Sequence, residues 1–140
     1  MFQKILVAFD GSEGSWRALR AAIALAQEHE AELWALSVED RLPHLAATVS
    51  EMQGEKELAN HYYERTQEQA KALAAESGIT LHTDISAGHV AQNVVKYAQQ
   101  GGFDLLVMGH SGPSGVWGDF LGTTAERVSR HAPCSVLIVR

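Results

Sequence analysis

The chain has 140 residues, 46% of them hydrophobic and 20% charged, which is the composition of one folded globular domain rather than of a disordered chain. Its 11 basic and 17 acidic residues give a formal net charge of −6, which argues against nucleic acid as the main partner because phosphate backbones attract clustered cations. No apolar run approaches the roughly 20 residues of a membrane span, and a single cysteine, Cys134, excludes an internal disulfide framework.

Five short and mostly apolar runs predict strands. They are Lys4–Phe9, Glu32–Val38, Thr80–Ser86, Phe103–Met108 and Ser135–Val139. The first run and the last two alternate too little between apolar and polar residues for a strand with one face in water. Near-continuous apolar strands are typical of a parallel sheet that is covered on both faces.

Apolar residues at helical spacing separate these strands and predict four helices. The helices are expected around Trp16–Ala26, over roughly Glu51–Ser77, from Val90 to Gly101–Gly102, and over Thr123–His131. Thr123 is followed three residues later by Glu126, which is the form of a capping box with Thr123 as the N-cap. The stretch Glu39–Gly54 fits neither pattern and is predicted to be an irregular connection.

The alternation of strands and helices predicts an α/β fold, a single-domain open five-stranded parallel sheet with helices on both faces and right-handed crossovers. Such sheets bind ligands beyond the carboxyl ends of the strands, where the strand order reverses. In the order 3-2-1-4-5 the reversal lies between the first and fourth strands, so the loops at the crevice begin at Asp10 and Gly109. These two loops are the richest in glycine and small polar residues, which favours this order over the other common one.

The loop that begins at Gly109 is the most informative segment. It contains five glycines, Gly109, Gly112, Gly115, Gly118 and Gly122. Gly122 and Thr123 then open the last helix, whose free N–H groups and dipole favour an anion. Two interpretations stay open at this point: a phosphate-binding loop, and a mobile loop in which Thr123 serves only as a helix cap.

Several catalytic patterns are missing from the same loops. They contain no G-x-x-x-x-G-K-[ST] segment, and no G-x-G-x-x-G follows the first strand. Ser111 is a poor candidate nucleophile, because Pro113 stands where the pattern G-x-S-x-G requires its last glycine. His110 either helps to neutralise a phosphate or is a solvated loop residue, and Trp117 packs the loop, covers a ligand or contacts a partner subunit.

Four segments spread along the chain carry a more specific pattern. The strand and turn Ile5–Ser12, the strand Asp104–Gly109 and the closing segment Arg130–Val139 are three of them. The fourth is Gly109-x-x-Gly112, nine residues and then Gly122-Thr123, which fits G-2x-G-9x-G(S/T) at every fixed position. Together they resemble the universal stress protein family over residues 1–140.

The resemblance implies an adenine nucleotide α-hydrolase-like fold and an adenine nucleotide, usually ATP, with or without Mg²⁺, between the first and fourth strands. Asp10 is then expected near the ribose and phosphates, and the backbone of Val38 near the adenine. By position in the family pattern, the nucleotide-binding residues are Ala8, Asp10, Val38, Met108, Gly109, Gly112, Gly122, Thr123 and Thr124. No catalytic residue is predicted.

The resemblance also implies a stress-response signalling module and a homodimer, often formed through the last strand. Efficient hydrolysis is not expected, because phosphoryl transfer needs concentrated positive charge and the candidate loops contain no lysine or arginine. A nucleotide-free interaction domain of the same fold and a slow ATP-hydrolysing or adenylating enzyme remain alternatives. The lone cysteine and an N-terminus without signal-peptide features lead us to expect a cytoplasmic protein with no membrane or nucleic-acid partner.

Overall fold

The computed structural model describes residues 1–40, 49–110 and 121–140, without the side chains of 49–52. Strands and helices alternate through these ranges. In chain order they are β1 (Lys4–Ala8), α1 (Glu13–His29), β2 (Glu32–Asp40), α2 (Val49–Glu76), β3 (Leu81–Gly88), α3 (Val90–Gly101), β4 (Leu105–Gly109), α4 (Thr123–His131) and β5 (Ser135–Val139). None of the helices in the described ranges has the length and apolar character needed to cross a membrane.

The strands form one parallel sheet in the order β3-β2-β1-β4-β5, which confirms the predicted order. β1 lies at the centre, where Ile5 pairs with Leu33 of β2 on one side and with Leu105 of β4 on the other. Its residues Ile5, Leu6 and Val7 are fully buried. The near-continuous apolar composition of β1 thus follows from its having neither an exposed face nor an exposed edge.

The core has two layers, one on each face of the sheet. Successive residues of a strand point to opposite faces, so Ile5 and Val7 join the layer under α1 and α2 while Leu6 joins the layer under α3 and α4. Leu19 of α1 and Val94 of α3 are each fully buried in their own layer. This arrangement confirms the predicted helices on both faces.

The prediction of an irregular connection over Glu39–Gly54 was wrong at both ends. β2 continues through Asp40, because Glu39 pairs with Ala87 and Asp40 with Gly88 in the neighbouring β3. Backbone pairing of this kind depends on an adjacent strand and not on apolar side chains. The acidic residues Glu39 and Asp40 therefore gave no sequence signal that the strand continues. α2 already begins at Val49, and only residues 41–48 of the predicted connection lie outside the described part of the chain.

The amino edge of the sheet is closed by hydrogen bonds to Asp104, which stands just before β4. Its carboxylate accepts the backbone N–H groups of Gln3 at 2.8 Å and Lys4 at 3.0 Å. Burial, the largest single cause, would raise the pKa of Asp104, but the backbone N–H groups of Lys4, Gln3 and Asp104 itself and the positive charge of the N-terminus together hold the pKa below its usual value. Lys4 Nζ also donates to the carbonyl of Gly101 at 2.7 Å. Polar groups at this edge therefore fasten β1 to the segment before β4.

Candidate functional site

A crevice of about 450 Å³ opens at the carboxyl edge of the sheet, where β1 and β4 separate. Its walls come from the ends of β1, β2 and β4, from the beginnings of α1, α3 and α4, and from one side chain of α2. Crossovers that leave β1 and β4 toward opposite faces create such a gap without any special side chain. The fold therefore supplies the cavity, and the local sequence decides which groups face it.

The structure brings together every predicted binding residue that it describes. Eight of them line the crevice: Ala8, Asp10, Val38, Met108, Gly109, Gly122, Thr123 and Thr124. The ninth, Gly112, lies outside the described residues, as do Gly115, Gly118 and Trp117. His110, the histidine singled out in the candidate loops, also lines the crevice. Contact of these residues with a ligand remains a prediction.

Asp10 is held by the turn between β1 and α1. Its Oδ1 accepts the backbone N–H of Ser12 at 2.9 Å, and Tyr62 Oη donates to its carbonyl at 3.1 Å. Ser12 is the N-cap of α1 and accepts the N–H of Ser15. Among the described residues, no donor reaches the second carboxylate oxygen of Asp10. The turn thus fixes the position of this carboxylate and leaves one oxygen for another partner.

The end of β4 favours a glycine because the first turn of α1 passes directly over it. A Cβ placed on Gly109 would lie 3.0 Å from the backbone carbonyl carbon and oxygen of Gly14. A side chain this close to the backbone of α1 would require a shift of a few tenths of an ångström. Gly109 therefore lets α1 and β4 meet at the floor of the crevice.

The first turn of α4 differs from the capping box that the sequence predicted. The N-cap is Gly122, and Thr123 is already the first helical residue. Glu126 donates its backbone N–H to the carbonyl of Gly122 at 2.9 Å, but its carboxylate pairs with Arg130 Nη2 at 2.8 Å. The prediction of Thr123 as the cap was wrong because the helix begins one residue earlier: Gly122 has the extended cap conformation and its carbonyl accepts the first helical N–H, so Glu126 lies one position beyond the place that a capping box requires.

A glycine N-cap matters for the crevice because it has no side-chain oxygen. The first N–H groups of a helix lack partners within the helix, and a serine or threonine cap would normally accept one of them. Here Thr123, Thr124 and Ala125 line the crevice at that first turn. Gly122 itself is fixed by donating its N–H to the carbonyl of His110 at 2.8 Å. The arrangement presents backbone donors to the cavity, which suits an anion.

The polar residues of the crevice that sequence reasoning missed include Tyr63 and Asp40. Tyr63 reaches in from α2, with its Oη 3.5 Å from the carbonyl of Val38. Burial raises the pKa of Tyr63, and the carboxylate of Asp10 adds to the increase. Asp40 was missed because the predicted second strand ended at Val38, two residues before the end of β2. Gln67 lies four residues later than Tyr63 on the same face of α2, is buried and donates to Ser37 Oγ. This face of the helix therefore packs against β2, which brings Tyr63 to the crevice.

The described lining is acidic rather than basic. It contains the carboxylates of Asp10 and Asp40 and the imidazole of His110, and it includes no lysine or arginine. Within the described residues, no group of three or more histidine, cysteine, aspartate or glutamate side chains could hold a metal ion alone. An anion in this crevice would be bound through backbone donors, and a cation would need oxygen ligands from a bound molecule as well.

The sequence matches a known family over its whole length. The profile of the universal stress protein family covers residues 1–140. Universal stress protein YxiE of Bacillus subtilis is 36% identical, with 100% of both chains covered. Universal stress protein MJ0531 of Methanocaldococcus jannaschii is 34% identical over 100% of this chain and 83% of that protein.

Solved structures show the same similarity in three dimensions. The universal stress protein UspA from Lactobacillus plantarum superimposes with a TM-score of 0.87 at 30% identity, covering 99% of this chain and 98% of that chain. A universal stress protein solved in complex with cAMP superimposes with a TM-score of 0.77 at 26% identity, covering 99% and 97%. The likeness therefore includes all five strands and the edge at which the crevice opens.

Proposed function

This chain belongs to the universal stress protein family and has its adenine nucleotide α-hydrolase-like fold, and we propose that it binds an adenine nucleotide in the crevice between β1 and β4. One observation carries the proposal: the glycine-capped first turn of α4 faces a cavity that also collects the other described residues of the predicted site. The cAMP complex of a universal stress protein supports the choice of an adenine nucleotide.

In this proposal the base and ribose lie over the ends of β1 and β2, and the phosphates lie at the first turn of α4. Ala8, Val38 and Met108 supply apolar walls, and the backbone of Val38 faces the adenine. The N–H groups of Thr123 and Thr124 cradle the phosphates without a basic side chain. A nucleotide with several phosphates gains most from these donors, so we propose ATP rather than a nucleoside as the ligand.

A divalent cation fits the same site. Asp10 and Asp40 offer carboxylate oxygens, which are the ligands that Mg²⁺ prefers together with substrate phosphates. When bound, the ion would offset the repulsion between these carboxylates and the nucleotide. Asp10 would hold its position during binding, because the N–H of Ser12 fixes its other oxygen.

The residues favour binding over turnover. Phosphoryl transfer needs concentrated positive charge around the transferred group and an oriented nucleophile. The described lining supplies neither lysine nor arginine. We therefore propose a cytoplasmic stress-response module whose signalling state depends on nucleotide occupancy, with ATP hydrolysis close to background.

The sheet edge at β5 supports a proposed homodimer. In the described residues β5 pairs only with β4, and Leu137 in its middle is 37% exposed. Apolar edge strands favour pairing with a second chain. Sedimentation equilibrium of the purified protein should give twice the monomer mass, and Leu137→Lys should return the monomer mass; a monomeric wild-type protein would contradict the dimer.

Isothermal titration calorimetry tests the main proposal directly. The wild-type protein is titrated with ATP, AMP, cAMP and GTP, each with and without Mg²⁺. We expect heat with the adenine nucleotides, tighter binding of ATP when Mg²⁺ is present, and weaker binding of GTP. Absence of heat with every adenine nucleotide would overturn the proposal, and robust phosphate release from ATP would overturn the choice of binding over turnover.

A further inference from the structure

A second groove, of about 690 Å³, lies beside the crevice on the outer side of α3 and α4. It shares Asp40, Val90 and Thr124 with the crevice, so the two cavities meet at the first turns of these helices. The nucleotide proposal makes no use of this groove. Its side walls have a chemical character opposite to that of the crevice.

Two polar stripes at helical spacing form the side walls. The stripe on α3 is Gln92, Lys96 and Gln99, and the stripe on α4 is Thr124, Arg127 and His131. Residues three, four or seven positions apart share one face of a helix, so each stripe is a continuous wall. Neither stripe contains an acidic residue, whereas the chain as a whole carries a formal net charge of −6.

The two cations of the groove have no acidic partner. Among the described residues, Lys96 and Arg127 form no ion pair with a carboxylate, although both are exposed. Some cations elsewhere on the helices are paired, such as Arg17 with Glu13 at 2.8 Å and Arg130 with Glu126 at 2.8 Å, whereas others, such as Arg20, also have no carboxylate partner among the described residues. Away from Asp40, the side walls of the groove therefore carry unpaired positive charge on an acidic protein.

The position of Asp40 limits where an anion can lie in the groove. This carboxylate lies at the wall shared with the crevice, so it repels an anion at that end of the groove. An anionic ligand that enters from solvent over Lys96 and Arg127 avoids it. From Thr124 to His131 the stripe is about 10 Å long, which matches about three residues of extended chain.

We propose that this groove binds a short acidic segment of a partner protein. Two of its carboxylates lie at Lys96 and Arg127, and its backbone is bound by the side-chain amides of Gln92 and Gln99. Because Thr124 and Val90 line both cavities, the segment lies next to the bound nucleotide of the proposed function. The groove itself does not depend on that nucleotide.

The probe for this proposal is a fluorescent decapeptide of alternating glutamate and glycine, titrated at low ionic strength without nucleotide and followed by anisotropy. We expect the double variant Lys96→Gln/Arg127→Gln to weaken binding by roughly tenfold, since two charge pairs are lost. The control Arg17→Gln/Lys71→Gln removes the same charge from the opposite face and should bind like the wild-type protein. A glutamine–glycine peptide should not bind.

Each other outcome overturns the proposal. No binding by the wild-type protein, or equal weakening in both double variants, would show that the groove does not recognise acidic chains. Binding of inorganic tripolyphosphate through Lys96 and Arg127 without binding of the peptide would assign the groove to a phosphate-bearing ligand instead. Because nucleotide is absent from these titrations, their failure leaves the result of the ATP titration unaffected.

Discussion

At the amino edge of the sheet the carboxylate of Asp104 accepts two backbone N–H groups, whereas at the carboxyl edge that of Asp10 accepts one from the described residues. The cation at the amino edge, Lys4, is likewise bound to a carbonyl, while the carboxylate of Asp40 at the other edge accepts no hydrogen bond from the described residues.

The difference between the two edges shows how one sheet separates stability from binding. Polar groups that are bonded to the chain itself contribute to the free energy of unfolding, and removing one leaves a donor without its acceptor. Polar groups left without an internal partner add little to that free energy and remain available to a ligand. We therefore expect matched substitutions at the two edges to affect different measurements.

The largest expected effect is at the helix cap that faces the crevice. Gly122→Val places a branched side chain where an anion would approach the first turn of α4, and we expect ATP affinity to fall by about 100-fold or more. Affinity is measured by calorimetry, with the melting temperature as a check on folding.

Gly54→Val is the matched control for that substitution, because a Cβ at Gly54 meets nothing within 4 Å. It should bind ATP like the wild-type protein. Unchanged ATP affinity in Gly122→Val would show that the phosphates lie elsewhere.

The next effect comes from removing the charge at the carboxyl edge. Asp10→Asn keeps an oxygen for the N–H of Ser12, so the turn should survive, but the loss of charge should weaken ATP binding in Mg²⁺ by about tenfold. The free energy of unfolding, measured in urea, should stay within about 0.5 kcal/mol of the wild-type value. A large loss of stability with normal affinity would reverse the distinction between the edges.

The same chemical change at the amino edge should have the opposite signature. Asp104→Asn leaves only one oxygen for the N–H groups of Gln3 and Lys4, and we expect a loss of about 1 kcal/mol in the free energy of unfolding. ATP affinity should not change, because Asp104 lies at the far edge of the sheet. Weakened ATP binding by the folded variant would show that the edges are coupled.

The smallest expected effect is on the pH dependence of the difference in free energy of unfolding between the wild-type protein and Asp104→Asn. The pKa of Asp104 is lower in the folded protein than its usual value, so its contribution is present above the unfolded pKa and is lost as pH falls through the folded pKa. The difference between the wild-type protein and Asp104→Asn should be constant near neutral pH and shrink below about pH 4. Urea titrations across this range measure it, and a difference that grew in acid would contradict the assignment.

Most of the fold could be predicted from local patterns in the sequence. The apolar run of β1 predicted a strand buried on both faces, and Ile5, Leu6 and Val7 are indeed fully buried. The glycine-rich loops at Asp10 and Gly109 indicated the strand order and the crevice. These features were readable because burial on both faces and close backbone approach each restrict the residue types at a position.

Three features depended on tertiary structure. Asp40 joined the crevice only because β3 pairs with the acidic end of β2, and Tyr63 joined it only because α2 lies across that end. Gly122 is the cap of α4, with its N–H bound to the carbonyl of His110 at the end of β4 and its carbonyl accepting the first helical N–H. Sequence patterns indicate which residues each segment buries. Contacts between segments depend on strand register and on which partners each group meets, and these are decided only when the chain is folded.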